Sequence, residues 1–349
     1  MYLTADVVRR LAARCGFELA GVAKAVPLPE ALFFQKWSSS GMAAEMSYLT
    51  GDRAALRQNP RTLLPSARSI ICVGKVYNHE HLFPGLSVGR EFGRISRYAA
   101  GADYHLLIRE RLNHMVKQLR ATTKEPFQYK ICVDTAPLLE RVYAQRAGLG
   151  WQGKNTCLIN ERFGSWFFLG EIITSLDIQS DEPITDRCGA CTMCIDACPT
   201  KAIVPVASST DVRWQVDARL CISYLTIEST KALPEPLRPL ISNSIFGCDI
   251  CQEVCPWNSK AAPTSEQAFY PKFRFLRLEE LAVLSREQFR TLFQGSPIRR
   301  AGYDGLLRNV AVAMGNSGLP RFRIPLEKLA STAGSAVANH ARWALKRLK

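Results

Sequence analysis

Apolar and polar positions change regime twice along this chain. In residues 1–175, short β-branched runs predict strands at Ser69-Ile-Ile-Cys-Val-Gly74, Tyr129-Lys-Ile-Cys-Val-Asp134 and Trp166-Phe-Phe-Leu-Gly-Glu-Ile-Ile-Thr174. Between them, apolar residues recurring every three or four positions predict helices over 104–121 and 138–147. A sheet covered by helices, of α/β (α+β) class, accounts for this region. The polar stretch Gln179-Ser-Asp-Glu-Pro183 then opens a segment over 176–262 that is rich in cysteine and poor in periodicity. From 263 to 349 the pattern is helical throughout.

Within that last segment, Ser296 to Asn309 and Ser335 to Leu348 superpose at an offset of 39, matching Ile298 with Val337, Leu306 with Leu345 and Arg308 with Arg347. The period predicts a HEAT-like pair of helices. Two such units cannot bury a solenoid core alone, so they are expected to lean on the rest of the chain.

With 349 residues, 47% of them hydrophobic, the chain has room for two or three domains with cores of their own. No apolar run is long enough to span a bilayer, and Met1 to Leu11 already carries Asp6, Arg9 and Arg10. A cytoplasmic protein with no membrane partner is expected. Net charge is +14, and residues 271–349 hold 15 basic against 5 acidic side chains. Such a local excess implies an anionic partner, first of all a phosphate backbone; the alternative is an idle solvated face.

The cysteines sharpen the chemistry. Cys188-x2-Cys191-x2-Cys194-x3-Cys198-Pro199 is followed by Cys248-x2-Cys251-x3-Cys255-Pro256. In the bacterial ferredoxin arrangement, C-x2-C-x2-C-x3-C-P gives three thiolates to one 4Fe-4S cluster and sends the fourth to a second cluster. The second run lacks one cysteine, with Phe246-Gly247 in its place, and Cys221 is the candidate to complete it. The expected sets are therefore Cys188, Cys191, Cys194 and Cys255 for one cluster, and Cys198, Cys221, Cys248 and Cys251 for the other. Structural zinc is the alternative, but it usually takes its thiolates as separated pairs. A disulfide framework does not suit a long chain without a secretory leader. Cys15, Cys72, Cys132 and Cys157 stand singly and read as buried small hydrophobes; Cys157, after the polar run Gly153-Lys154-Asn155-Thr156, fits that reading least well.

Two cubane clusters form a wire for single electrons, and the α/β region is where the electrons would be used. Cys132-Val-Asp134 delivers an acid at a strand end just before a helix, where ligands of open sheets bind; a helix cap is the plainer role for Asp134 or Thr135. Gly148-Leu-Gly-Trp151-Gln-Gly153-Lys154 suggests a loop approaching an anionic or planar cofactor, without a recognised phosphate-loop pattern.

Taken together, several motifs resemble one family, the epoxyqueuosine reductases. They are Ile95-Ser-Arg97-Tyr98 with Gly101-x-Asp103-Tyr104-His105, Val133-Asp134-Thr-Ala-Pro137-Leu-Leu-Glu140-Arg141, Gly148-Leu-Gly150-Trp151-x-Gly153-Lys154-Asn155-Thr156, and Phe163-Gly164-Ser165-Trp166-x-Phe168-Leu-Gly170-Glu171. Cys221-Ile-Ser223 and Gly247-Cys-Asp249-x-Cys-Gln252 extend them, so the resemblance runs over nearly the whole chain. It implies a cobalamin-binding N-terminal domain over 1–175, a ferredoxin-like domain with two 4Fe-4S clusters over 176–262, and a basic HEAT-like tail over 263–349 that grips tRNA. The implied reaction reduces epoxyqueuosine to queuosine at the anticodon wobble position. A low-potential donor of flavodoxin or ferredoxin type would feed the clusters, and a monomer is expected.

By the same resemblance Asp134 is the general acid, with burial raising its pKa from about 3.9 so that it carries a proton near neutrality. Arg57, Arg97, Ser223, Cys248 and Asp249 are expected to line the cobalamin cavity together with Asp134. Arg299, Arg300, Arg308 and Lys346 are the expected phosphate contacts. Asp103-x-His105 departs from the D-x-H-x-x-G pattern of proteins that place a His on cobalt, because Ile108 stands where the Gly belongs. His105 is therefore expected to sit in a helix first turn capped by Asp103. Two rivals remain: a cobalamin-dependent reductive dehalogenase, which needs no basic tail, and an electron carrier, which needs no corrin.

Overall fold

The computed structural model describes residues 3–79, 89–123, 125–206 and 214–348. Its strands in chain order are β1 (Leu19–Lys24), β2 (Ser69–Val76), β3 (Phe92–Ile95), β4 (Tyr129–Cys132), β5 (Trp151–Gln152), β6 (Leu158–Ile159), β7 (Phe167–Thr174), β8 (Ile203–Pro205), β9 (Trp214–Val216), β10 (Ser244–Phe246) and β11 (Phe275–Arg277). The main sheet has the order β1-β2-β7-β4, with every neighbouring pair antiparallel. The region is thus α+β. Asp134 leaves an edge strand, not the carboxyl edge of a parallel sheet as the strand-end argument assumed.

Side-chain alternation along β2 builds the layers. Ile71 and Val73 pack with Ile108, Leu112, Met115 and Val116 of the helix Tyr104–Thr123. Ile70 and Cys72 pack on the other face with Tyr143 and Ala144 of the helix Glu140–Arg146. Both faces are covered, which is why β2 reads as an unbroken apolar run. β1 escaped the apolar-run reading because its sequence, Leu19-Ala-Gly-Val-Ala-Lys24, has a single β-branched residue. Its Gly21 is required by packing: a Cβ there would lie 1.9 Å from the carbonyl oxygen of Ala147. The helix Glu140–Arg146 can therefore dock tightly on the sheet, with Glu140 at its first turn.

A second sheet, β10-β3-β11, takes one strand from each of the three sequence segments. β3 pairs parallel with β10 and antiparallel with β11. One hydrophobic core joins Ile95, Ile245 and Phe246 to Leu278 and to the helix Gly302–Ser317, so these segments are packed through shared side chains.

The tail is mostly helical, with helices Leu278–Ala282, Arg286–Leu292, Gly302–Ser317, Arg323–Thr332 and Ser335–Arg347. The offset of 39 does not mark equivalent helices. Ser296–Asn309 runs through a 3-10 turn, Pro297–Ala301, into the next helix, whereas Ser335–Arg347 is one continuous helix. The matched pair Arg308 and Arg347 shows the difference, one buried and the other exposed.

Arg308 is also a correction to the expected phosphate contacts. It is 2% exposed and donates to the carbonyls of Leu225 (2.6 Å), Ser229 (2.7 Å) and Lys231 (2.9 Å). Burial pushes its guanidinium down to about 10, which still leaves it cationic at neutral pH. Its donors are spent on the helix Ile222–Ile227 and the segment after it, so it fastens the tail to the cysteine-rich region. Arg308→Ala is expected to lower unfolding stability by about 2–4 kcal/mol, because the carbonyls lose their partner and a cavity opens. Urea unfolding measures that loss, while the salt dependence of nucleic-acid binding should match that of the unaltered protein.

Candidate active site

A cavity of about 870 Å³ opens between the three segments. Phe34, Trp37, Tyr48 and Arg57 line one side; Tyr104, His105, Asp134, Leu138 and Glu140 another; Trp214, Glu228, Arg299 and Arg300 close it from the later segments. Its volume lies within the range of small-molecule and cofactor sites, about 300–1,000 Å³.

Asp134 occupies the centre of a γ-turn. The N–H of Thr135 donates to the carbonyl of Val133 at 2.6 Å, and Asp134 takes φ +58°. The positive form of this turn is rare and strained for an L-residue, costing about 1–3 kcal/mol, and it persists only where surroundings hold it. Two contacts do so. The Asp134 N–H donates to Glu140 Oε1 at 2.6 Å, and Asp134 Oδ2 lies 3.2 Å from His105 Nε2.

His105 is held in turn by Asp103, whose Oδ1 is 2.6 Å from Nδ1 and accepts from the His105 backbone N–H at 3.0 Å. The capping contact expected for Asp103 is present. Its reach to the His105 ring, and the ring's reach to Asp134, are features that sequence reasoning missed. Hydrogen bonding to Asp103 first and Asp134 second raises the His105 pKa to about 9, so the ring is an imidazolium at neutral pH. The Asp134 side chain is 47% exposed. The burial expected for Asp134 is therefore lacking, and the protonated group beside its carboxyl is the His105 ring.

Beneath Asp134 lies a carboxyl pair that the sequence did not reveal. Glu171 is 0% exposed on β7, in register with Cys72 of β2 and Cys132 of β4, and its carboxyl meets that of Glu140. Burial foremost, then the negative charge of Asp134, raises Glu140 to about 7. Burial and the facing Glu140 hold Glu171 well above the usual carboxylate range. No other protein donor bonds to either Glu171 oxygen among the described residues, so contact between the two carboxyls requires a proton between them.

The cysteines gather as two sets. The thiol of Cys194 lies within electrostatic reach of Cys255, Cys188 and Cys191. That of Cys251 lies near Cys248 and Cys221, and Cys221 near Cys198. Among the described residues no three His, Cys, Asp or Glu side chains converge on a single metal ion; a four-iron cubane holds its thiolates farther apart than one ion does. Cys15, Cys72 and Cys132 are buried as expected, whereas the Cys157 thiol sits against Cys251.

The loop 148–156 has a bridging part. Lys154 Nζ donates to the carbonyls of Gly189 (2.7 Å) and Cys191 (2.9 Å), and Asn155 Nδ2 to that of Cys251 (3.2 Å). Gln152 and Thr156 reach the cavity. The loop thus touches both cysteine sets and the cavity, with its Lys spent on backbone carbonyls.

The other expected site residues divide. Arg57 lines the cavity and donates to the carbonyls of Tyr48 (2.9 Å) and Arg53 (2.8 Å). Arg97, Ser223, Cys248 and Asp249 are not in its lining. Asp249, 2% exposed, accepts from the Arg97 N–H (2.8 Å), from Arg274 (2.7 Å) and from Ser96 Oγ. The Arg97 guanidinium stacks 4.3 Å from the Trp166 ring centre, and Ser223 Oγ donates to the Cys248 carbonyl at 3.5 Å. Arg299 and Arg300 stand at the cavity, Arg300 paired with Glu228, while Lys346 is exposed on the last helix.

Residues 57–135 match a family described as epoxyqueuosine reductase QueG, DUF1730, and residues 187–258 match the 4Fe-4S double cluster binding domain. The epoxyqueuosine reductase of Xanthomonas campestris pv. campestris is 39% identical over 346 residues, covering 97% of this chain and 94% of its own. That of Pseudomonas aeruginosa is 40% identical over 344 residues, covering 95% and 91%. A crystal structure of epoxyqueuosine reductase with a tRNA-Tyr epoxyqueuosine-modified tRNA stem loop superposes with TM-score 0.88 at 27% identity, covering 98% of this chain and 89% of that one. The Bacillus subtilis enzyme, solved with its Asp134 catalytic loop swung out of the active site, gives TM-score 0.87 at 27% identity, covering 98% and 90%. Identity of this extent over nearly the full length of both chains leaves one assignment: the chain belongs to the epoxyqueuosine reductase family, and it is an oxidoreductase with a double 4Fe-4S cluster-binding domain.

Proposed function

We propose that this chain reduces epoxyqueuosine to queuosine in the anticodon of tRNA, as a cytosolic monomer fed by a flavodoxin- or ferredoxin-type donor. The observation that carries the reading is the His105–Asp134 pair at a cavity joined, through the loop 148–156, to both cysteine sets. Cys188, Cys191, Cys194 and Cys255 are assigned to one cluster and Cys198, Cys221, Cys248 and Cys251 to the other, on the proximities of their thiols.

Cobalamin suits the cavity's aromatic and aliphatic walls, Phe34, Trp37, Leu138 and Trp214 among them. Arg57, Asp134, Leu138 and Trp214 would hold it. Arg97, Ser223, Cys248 and Asp249 are assigned the part of holding the cysteine-rich segment against that wall, since their polar groups are already engaged. When bound, the clusters and the corrin supply low-potential electrons and a centre that attacks carbon.

The chain's own residues manage protons. Converting an epoxide to an alkene consumes an electron pair and a pair of protons and releases water. His105 Nε2–H gives its proton to Asp134 Oδ2, and Asp134 passes it to the departing oxygen. Asp103 keeps Nδ1 protonated and the ring oriented. The swung-out catalytic loop of the Bacillus subtilis enzyme suits a turn that is strained at Asp134.

Arg299, Arg300 and Lys346 are the proposed phosphate contacts, on a tail proposed to be HEAT-like in its stacking of the last three helices. Replacing Arg299 with Ala should reduce the slope of log affinity against log salt by about 0.7–0.9, the loss of one phosphate contact. The reading itself is tested anaerobically with reconstituted clusters, cobalamin, a chemical reductant and epoxyqueuosine tRNA. Mass analysis of digested nucleosides should show loss of one oxygen that requires both cofactors. No conversion by protein holding iron and corrin would favour a dehalogenase; no corrin binding would favour an electron carrier.

A further inference from the structure

Asp134 sits in a backbone conformation that an aspartate does not choose. Of the two contacts that hold it, the one on the backbone is a short bond from its N–H to Glu140 Oε1 at 2.6 Å. Glu140 is in turn fixed by its helix, which Gly21 lets close on the sheet, and by the buried carboxyl of Glu171 below it. Glu171 has 0% exposure and, among the described residues, no N–H or O–H donor to either oxygen, so an ionised Glu171 would be an unpaired charge in the core.

We propose that Glu140 and Glu171 form a one-proton carboxyl latch: Glu171 keeps the proton and donates to Glu140, whose carboxylate pins the Asp134 backbone in its cavity-facing turn. Glu140 and Glu171 are positioning residues, and the proposal rests on the functional reading above. It adds a protonation-dependent control on where the acid stands.

The groups facing the pair support this division of the proton. Cys72 of β2 and Cys132 of β4 are buried thiols that add no positive charge, and Asp134 adds a negative one. Tyr104 faces Glu140 from the helix across the sheet. Among the described residues Arg141 and Arg57 are the cations in reach, and both act on Glu140, the member nearer the cavity. The ionised partner is therefore Glu140. With its value near 7, Glu140 is a carboxylate above neutrality and accepts a charge-assisted bond; below, the bond becomes neutral and weaker.

The expected kcat profile is a bell. Turnover rises about fivefold through pH 7 as the latch engages, and falls near pH 9 as His105 loses its proton. Glu140→Gln keeps an acceptor oxygen but cannot ionise, so the acid limb disappears while the alkaline limb stays and KM for tRNA is unchanged. Glu140→Ala removes the acceptor, and kcat falls by about 100-fold, the cost of a misplaced catalytic group.

A second measurement needs no turnover. Both folded carboxyls titrate above their ordinary value of 4.5, so the folded protein holds protons that the unfolded chain releases. Stability from these groups is complete below that value and is lost as pH rises through 7. Glu171→Gln in the cluster-loaded protein should therefore raise the melting temperature at pH 8.5 more than at pH 5.5. An acid limb that persists in Glu140→Gln, or a melting difference independent of pH, overturns the latch. If the unaltered protein converts no epoxyqueuosine, the functional reading fails while the melting comparison still decides the latch.

Discussion

Asp134→Asn lowers deoxygenation turnover by about 100- to 10,000-fold, the range of a lost general acid, while iron content, corrin binding and tRNA affinity stay unchanged. The substitution is nearly isosteric and leaves the backbone N–H that bonds Glu140, so the turn is kept. What it removes is the oxygen that faces His105 Nε2 at 3.2 Å and can hold a proton between ring and substrate. An amide cannot relay it. The readout is single-turnover conversion of epoxyqueuosine tRNA under anaerobic conditions, with kcat and KM separated. Turnover at the unaltered rate in a fully loaded variant would remove Asp134 from the acid role and leave His105 to protonate the oxygen directly.

The second large effect tests the crossing of the cysteine sets. Cys255→Ala is expected to abolish turnover and cost one cluster, the one that Cys194→Ala also removes. Cys198→Ala should remove the other, together with Cys248→Ala. Each variant should retain about four of eight irons. Chain order alone would pair Cys255 with its neighbours Cys248 and Cys251, whereas the thiols around Cys194 are those of Cys188, Cys191 and Cys255. Spectra of the reduced variants decide the matter: if Cys255→Ala and Cys248→Ala lose the same signal, the crossing is wrong.

What the sequence revealed follows the range of the forces concerned. Apolar runs located β2 and β7, because a strand covered on both faces needs little beyond its own residues to be recognised, and the short run Ile131-Cys-Val133 marked the edge strand β4. Cysteine spacing located the thiol sets for the same reason: metal chemistry writes itself into short intervals. The second sheet was not legible, since β3, β10 and β11 are three or four residues each and gain their stability from partners far away in sequence. Arg308 looked like a surface cation because nothing local distinguishes it from Arg347. Its burial depends on carbonyls near residue 230 that only the fold brings to it. Likewise Glu140 and Glu171 each ended or lay within a motif of the family, but no role followed from it, because their meeting needs the packing of a helix on a sheet. In the active site, Asp134 was found by motif, but its proton partner His105 was set aside on a different question, that of cobalt ligation.

The interleaved sheet of β3, β10 and β11 also governs how the protein comes into being. Asn243 reaches the Phe92 carbonyl across 151 residues, and Arg274 reaches that of Ile95 across 179. A ribosome adding about 5–20 residues per second leaves β3 without its partners for roughly 10–40 s after it emerges. Throughout that interval its edges are open to other chains. Slowed synthesis or a stop before residue 275 would therefore lower yield through aggregation, and the N-terminal region is a poor choice for separate production.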